Sequence, residues 1–196
     1  MKRNIILSGV GGQGILSIAT VIGQAALDEG LSLKQAEVHG MSQRGGDVQS
    51  HLRISSEPIA SDLISRGGGD VILSLEPMEA LRYLPYRSEG GWVVANTAPF
   101  VNIPNYPDIE GVLAELRALP QAILLDVDAI AKDGGVTRAA NIVLLGAASS
   151  ILGLSFENLA DGIRKIFGAK GETVVAMNLK ALEAGRDTAQ KLKNEK

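Results

Sequence analysis

Cysteine is absent from this sequence of 196 residues. The chain can therefore form no disulfide, present no thiolate nucleophile and ligate no iron–sulfur cluster by itself. Aromatic residues are also scarce at 4%. A core must then be built from Val, Ile, Leu and Ala, which suits alternating strands and helices. Neither charge sign dominates: 19 Lys and Arg stand against 22 Asp and Glu, for a net charge of −3. That leaves no basic footprint for nucleic acid. No window approaches the length of a membrane span. Met1-Lys2-Arg3 runs straight into a strand whose apolar part is too short for a signal peptide. A cytoplasmic protein with no membrane or nucleic-acid partner is expected.

Familiar catalytic signatures are missing too. There is no nucleophile elbow, no phosphate loop ending in Gly-Lys-Ser/Thr and no zinc spacing. No internal repeat or low-complexity segment interrupts the chain, and only the tail from Lys191 to Lys196 is expected to fray. With 45% hydrophobic residues, residues 1–196 can bury one good core, so a single domain is expected.

What is present is organised around Ser8-Gly9-Val10-Gly11-Gly12-Gln13-Gly14-Ile15. Asn4-Ile5-Ile6-Leu7 before it reads as a buried parallel strand. After it, Ile15, Ile18, Ala19, Val21, Ile22, Ala25 and Ala26 recur with a helical period, and Ser17, Thr20, Gln24 and Asp28 keep to the other side. Gly30 stops this helix. The spacing Gly9-x-Gly11-x-x-Gly14 fits a dinucleotide-binding turn, in which glycines admit a ligand close to the backbone and free helix-start amides attract an anion. The same glycines also serve plain strand-to-helix packing, and both readings stay open.

Leu33 to Val38 reads as a second strand, with Glu37 about where a ribose-binding acid sits in a dinucleotide fold. His39-Gly40-Met41-Ser42-Gln43-Arg44-Gly45-Gly46 is too polar and glycine-rich for a helix. Asp47 to Ile54 then alternates as another strand, so the crossover helix of a regular dinucleotide fold is missing. Further strands are expected at Asp70–Leu75, Trp92–Asn96 and Ile123–Asp126, with a turn at Glu89-Gly90-Gly91. Helices are expected from Pro77 to about Leu84, from a cap at Asp108 to Arg117, over Thr137–Leu152, over Leu159–Phe167 and along a face from Val174 to Leu192. Asn141, inside an apolar helix, needs a hydrogen-bond partner. The sum is a Rossmann-like α/β fold, a mostly parallel sheet with flanking helices and an irregular strand pair after the second strand.

The loop from His39 to Gly46 is the strongest functional candidate, since it follows an expected parallel strand at the carboxyl end, where open α/β sheets bind ligands or partners. His51 on its strand reads as structural or merely solvated. Glu76 either positions a polar ligand or starts a helix, and Asn96 sits at another strand end. Asp126 and Asp128 lack the third ligand of a metal site. No catalytic residue and no metal ligand are assigned to the chain.

These residues carry a resemblance. The stretch Gly9-Val10-Gly11-Gly12-Gln13-Gly14, with Glu37-Val38-His39-Gly40-Met41-Ser42-Gln43-Arg44-Gly45-Gly46, resembles the gamma-type subunits of 2-oxoacid:ferredoxin oxidoreductases. The run from Asp70 to Tyr83 looks most like the smaller subunit of the indolepyruvate-specific members, and Asn141 to Ala147 matches as well. The resemblance implies oxidative decarboxylation of an arylpyruvate with coenzyme A, giving an acyl-CoA, carbon dioxide and reduced ferredoxin. It places thiamine diphosphate and the iron–sulfur clusters on a larger partner subunit, with no cofactor clearly bound here. The missing cysteines and the missing Gly-Asp-Gly of a thiamine motif agree. Gly9, Gly11, Gly12, Gln13, Gly14, His39, Ser42, Gln43, Arg44 and Gly45 would then bind a ligand or face the partner. Arg44 would pair with a carboxylate or phosphate, and His39 and Gln43 would supply hydrogen bonds. An isolated chain could pair with a second copy through apolar surface meant for its partner. A free-standing nicotinamide dehydrogenase and a flavin- or nucleotide-binding module are the alternatives.

Overall fold

The computed structural model describes residues 1–39 and 45–194. In chain order they form β1 (Lys2–Val10), α1 (Ile15–Asp28), β2 (Ser32–His39), β3 (Asp47–Ser55), β4 (Gly69–Ser74), α2 (Pro77–Arg82) and β5 (Arg87–Asn96). There follow α3 (Ile109–Arg117), β6 (Ala122–Leu125), α4 (Val127–Asp133), α5 (Ala140–Ala148), α6 (Phe156–Phe167) and α7 (Glu172–Asn194). One six-stranded sheet has the order β2-β3-β1-β4-β5-β6. β1, β4, β5 and β6 are parallel neighbours, whereas β3 runs antiparallel between β1 and β2.

Alternation along the strands divides the core into two layers. Ile5 and Leu7 face α1, α5, α6 and α7, while Ile6 between them faces Tyr83, α2 and α3. Both sides of β1 are covered, which is why Ile5-Ile6-Leu7 is an unbroken apolar run. β3 is covered on its polar side by the irregular segment 57–64. There His51 Nδ1 accepts the Ile64 amide at 2.9 Å, and Arg53 Nη1 donates to Ser61 O at 2.7 Å. His51 also meets the Tyr86 ring edge-on at 5.2 Å. Burial holds its pKa below the usual histidine value, against an opposing pull from Asp62. His51 is structural, as its position on a strand suggests.

The structure decides the strand order, and two sequence expectations need correction. The second strand does not lie beside β1; β3 separates them, so Glu37 is two strand spacings from β1, about 9–10 Å. β2 still points the same way as β1, since both oppose β3, so its end reaches the same edge of the sheet. Glu89-Gly90-Gly91 is not a turn but part of β5, where pairing with β4 slips from Gly69↔Arg87 to Val71↔Trp92. A Cβ on Gly91 would stand 2.7 Å from Gly69 O, so glycine permits the close approach. Asp126 does not end a strand. Its carboxylate accepts the Ala129 amide at 2.8 Å and starts α4, an element the sequence pattern did not show.

The closest helix packing joins α5 and α7 through two glycines. A Cβ at Gly146 would lie 2.0 Å from Leu182 O, and one at Gly185 would lie 1.9 Å from Val143 O. The two backbones touch where these helices cross.

Candidate functional site at the carboxyl edge of the sheet

The glycine turn after β1 is held in place from inside. Gln13 folds back so that its Oε1 accepts the Val10 amide at 2.7 Å, while its Nε2 donates to Leu75 O at 3.1 Å. One side chain thus ties the ends of β1 and β4. A Cβ at Gly9 would meet that Oε1 at 2.7 Å and Ile15 Cδ1 at 2.9 Å. Gly14 has φ of 88°, and a Cβ there would meet Asn141 Nδ2 at 2.7 Å. That same amide nitrogen donates to Gly14 O at 3.1 Å. The partner that Asn141 requires is therefore the glycine turn itself, 127 residues away.

Gly11 is occupied as well. Its amide donates to Gly46 O at 2.8 Å, and its carbonyl accepts the Gly45 amide at 3.3 Å. Gly9, Gly11 and Gln13 are thus spent on packing and on seating the segment that leads into β3, as are the carbonyl and the Cα side of Gly14. A Cβ at Gly12 would have nothing within 4 Å. The amides of Gly12, Gly14, Ile15 and Leu16 have no hydrogen-bond partner among the described residues, and no side chain caps α1. These four N–H groups and the positive end of the α1 dipole face a cleft of about 440 Å³. Glu37, His39 and Val48 form its far wall. Such a cleft suits an anionic group. Ser42, Gln43 and Arg44 lie outside the described residues.

A second, smaller hollow lies on the other side of Gly45, between α2 and the loop 97–107. Glu76 is fully buried there. Its Oε2 caps α2 by accepting the Glu79 amide at 2.9 Å. Its Oε1 accepts the Phe100 amide at 3.4 Å and the Tyr106 hydroxyl. Burial and this carboxylate push the Tyr106 pKa upward. Asn102 Nδ2 donates to Gly45 O, so the same loop also grips the segment paired with Gly11. Glu76 is both helix start and anchor. Asn96, the other strand-end candidate, is spent on bracing: its Nδ2 donates to Asp128 Oδ2 at 3.1 Å, and its Oδ1 accepts the Val127 amide at 3.1 Å.

Sequence reasoning missed the group around Glu79. This carboxylate is 3% exposed and pairs with Arg82 at 2.7 Å, while Tyr83 donates its hydroxyl to Asp47 at 2.7 Å. No motif marks such a group, because Asp47 and Tyr83 meet only after β3 is inserted beside β1. Burial pushes the Glu79 pKa up to about 7, Arg82 pulls it down, and nearby Asp47 adds to the rise. The folded protein then holds this proton more tightly than the unfolded chain does. Its contribution to stability is complete below pH 4.5 and is lost as pH rises through 7. Global stability is expected to fall across that window by about 1–2 kcal/mol, reduced by water around half-exposed Arg82. Denaturant midpoints measured from pH 4.5 to 8 check this, and Glu79→Gln should flatten the slope.

Comparison with known proteins agrees with this architecture. A family model described as pyruvate ferredoxin/flavodoxin oxidoreductase matches residues 4–188. The chain belongs to this family. The indolepyruvate oxidoreductase subunit IorB of Archaeoglobus fulgidus is 36% identical over 198 residues, which cover 96% of each chain. Among solved structures, the keto/oxoacid ferredoxin oxidoreductase gamma subunit from Geobacter sulfurreducens superposes with a TM-score of 0.71 at 25% identity. That match covers 96% of this chain and 99% of the other. The 2-oxoglutarate:ferredoxin oxidoreductase from Magnetococcus marinus, solved with 2-oxoglutarate, coenzyme A and succinyl-CoA bound, shares the fold with a TM-score of 0.76 at 24% identity. It matches 97% of this chain, which corresponds to 31% of that longer one. The family resemblance and the mostly parallel α/β fold expected from the sequence are both found. Among the described residues no helix is long and apolar enough to cross a membrane.

Proposed function

We propose that this chain is the small subunit of a thiamine-dependent 2-oxoacid:ferredoxin oxidoreductase acting on indolepyruvate or a related arylpyruvate in the cytoplasm. The reaction is oxidative decarboxylation with coenzyme A to an acyl-CoA, with ferredoxin as the electron acceptor. The 36% identity to an indolepyruvate oxidoreductase subunit over nearly the whole of both chains carries this reading. Residues 1–196 act in it as one domain.

The residues present do not fit the redox cofactors. A chain with no cysteine offers no thiolate for an iron–sulfur cluster, and in this reading the clusters and, as the family resemblance implies, thiamine diphosphate are held by a larger partner subunit. The cleft at the start of α1 does fit a phosphate group, with four unpaired amides and no acidic side chain in the first helical turn. We assign it to a phosphate of coenzyme A, which supplies the acyl-accepting thiol when bound. In this reading Gly12, Gly14 and the first amides of α1 bind and orient the phosphate. His39, Ser42 and Gln43 add hydrogen bonds, and Arg44 pairs with a carboxylate or phosphate. The partner covers the same edge of the sheet, where Val38, Phe100, Val101 and Ile103 are exposed, and its docking keeps water from the reacting centre.

The decisive experiment is anaerobic co-purification with the larger subunit, followed by thiamine-dependent reduction of ferredoxin by indolepyruvate. Within that complex, Leu16→Asp puts a carboxylate in the first turn of α1, where the helix dipole tolerates or favours it by about 0.3–1 kcal/mol. The complex should assemble, with KM for coenzyme A raised about tenfold by like-charge repulsion. An unchanged KM would move the phosphate elsewhere while leaving the subunit assignment intact. Glu37 in the same cleft keeps a nicotinamide dehydrogenase as the second reading. A chain that purifies alone and binds NAD tightly would establish it.

A further inference from the structure

We propose that the amino edge of the sheet, at the end opposite the glycine turn, carries an oxyanion site built by Arg3, Ser150 and Lys193 beside Trp92. Its ligand is a phosphate group or a carboxylate. Arg3, Trp92 and Ser150 line a cleft of about 210 Å³, with Asp70 and Gly90 on its walls. Liquid water takes about 30 Å³ per molecule, so the cleft has room for one such group and a few waters.

Three donors meet there without enough acceptors. The Arg3 side chain makes no hydrogen bond and no ion pair with any described residue, and its Nε is buried without a partner. A guanidinium is shaped to give two parallel hydrogen bonds to an oxyanion. Lys193 reaches two side chains of the lining: its Nζ donates to Ser150 Oγ at 2.8 Å and stands 5.0 Å from the centre of the Trp92 ring. Ser150 accepts that bond, so its own hydroxyl proton is free to donate into the cleft.

Asp70 is the opposing charge. Its Oδ2 accepts the Asn4 amide at 2.8 Å, which fixes the carboxylate on β1, and it forms no ion pair with Arg3 or Lys193. Two cations against one anion leave a net positive charge that a bound oxyanion would balance.

Trp92 is the only tryptophan in the chain, so its fluorescence reports on this cleft. Inorganic phosphate is titrated into the full chain at constant ionic strength set with chloride, and acetate is titrated in parallel. Phosphate should give a saturable change with Kd on the order of 1 mM. Arg3→Met and Lys193→Met should each weaken binding about tenfold, by removing a charge-assisted hydrogen bond. Gly90→Glu should weaken it as well, since that position opens onto free space on the cleft wall. Circular dichroism and Tm without phosphate show that each variant is folded. Saturation by phosphate alone identifies a phosphate ester as the ligand class. Equal saturation by acetate identifies a carboxylate, such as an acidic side chain of another protein. A response that never saturates, or one that saturates unchanged in folded Arg3→Met, overturns the site.

Discussion

Gly185→Ala is expected to lower stability by about 4 kcal/mol or more, or to prevent folding outright. A single added methyl in a packed core usually costs about 1–3 kcal/mol, because neighbouring side chains find new rotamers. Here the obstacle is backbone: the new Cβ would sit 1.9 Å from Val143 O and 2.8 Å from its carbonyl carbon. No rotamer relieves that contact, so α5 and α7 must separate, uncovering Ala147, Ala181 and Leu182. Gly146→Ala meets the same obstacle from the other side. Combining both should cost less than the sum, since the helices part only once. Urea unfolding followed by circular dichroism checks all three variants. Gly168→Ala is the control: it has open space and no positive φ, so its midpoint should stay within about 0.5 kcal/mol of the parent. A Gly185→Ala midpoint equally close to the parent would show that the crossing is not as tight as described.

Glu76→Ala is expected to cost about 2–4 kcal/mol and to loosen the loop 97–107 before the rest of the molecule unfolds. Glu76 is fully buried and accepts from the Glu79 amide, the Phe100 amide and the Tyr106 hydroxyl. Alanine removes the cap of α2 and strands two donors of the loop at once. Hydrogen exchange should therefore quicken at Phe100 and Glu79 while amides inside β1 keep their protection. Tyr106→Phe deletes one of these bonds and should cost about 1 kcal/mol, with Phe100 still protected. Because Asn102 of this loop also holds Gly45, which pairs with Gly11, Glu76→Ala should disturb the glycine turn too. A Glu76→Ala protein with parental exchange at Phe100 would contradict the anchoring role.

Local rules were enough for part of this protein. The apolar run before Gly9 and the helical period after Gly14 made β1 and α1 readable, because a both-faced strand and a one-faced helix leave different repeats. Asp108 could be read as a cap, and its carboxylate does accept the Gly111 amide at 2.9 Å. Absence of cysteine settled that this chain holds no cluster alone, and the resemblance carried by Gly9–Gly14 and the loop after Glu37 led to the right family.

Tertiary structure decided the rest. Strand order is a choice among distant partners, and nothing within residues 47–55 says that they lie antiparallel between β1 and β2. The side that carries His51 and Arg53 is covered by residues 57–64, whose backbone groups pair with both. Asn141 was visibly in need of a partner, but only folding brings it to Gly14. The glycines likewise look alike in sequence. Contacts alone separate Gly9, Gly11 and Gly14, which seat neighbouring atoms, from Gly12, which is open to a ligand. The chain's local pattern determined its elements and its family. Which of its polar groups remain free to act was determined by packing, because a hydrogen-bonding group is available only when no neighbour has already used it.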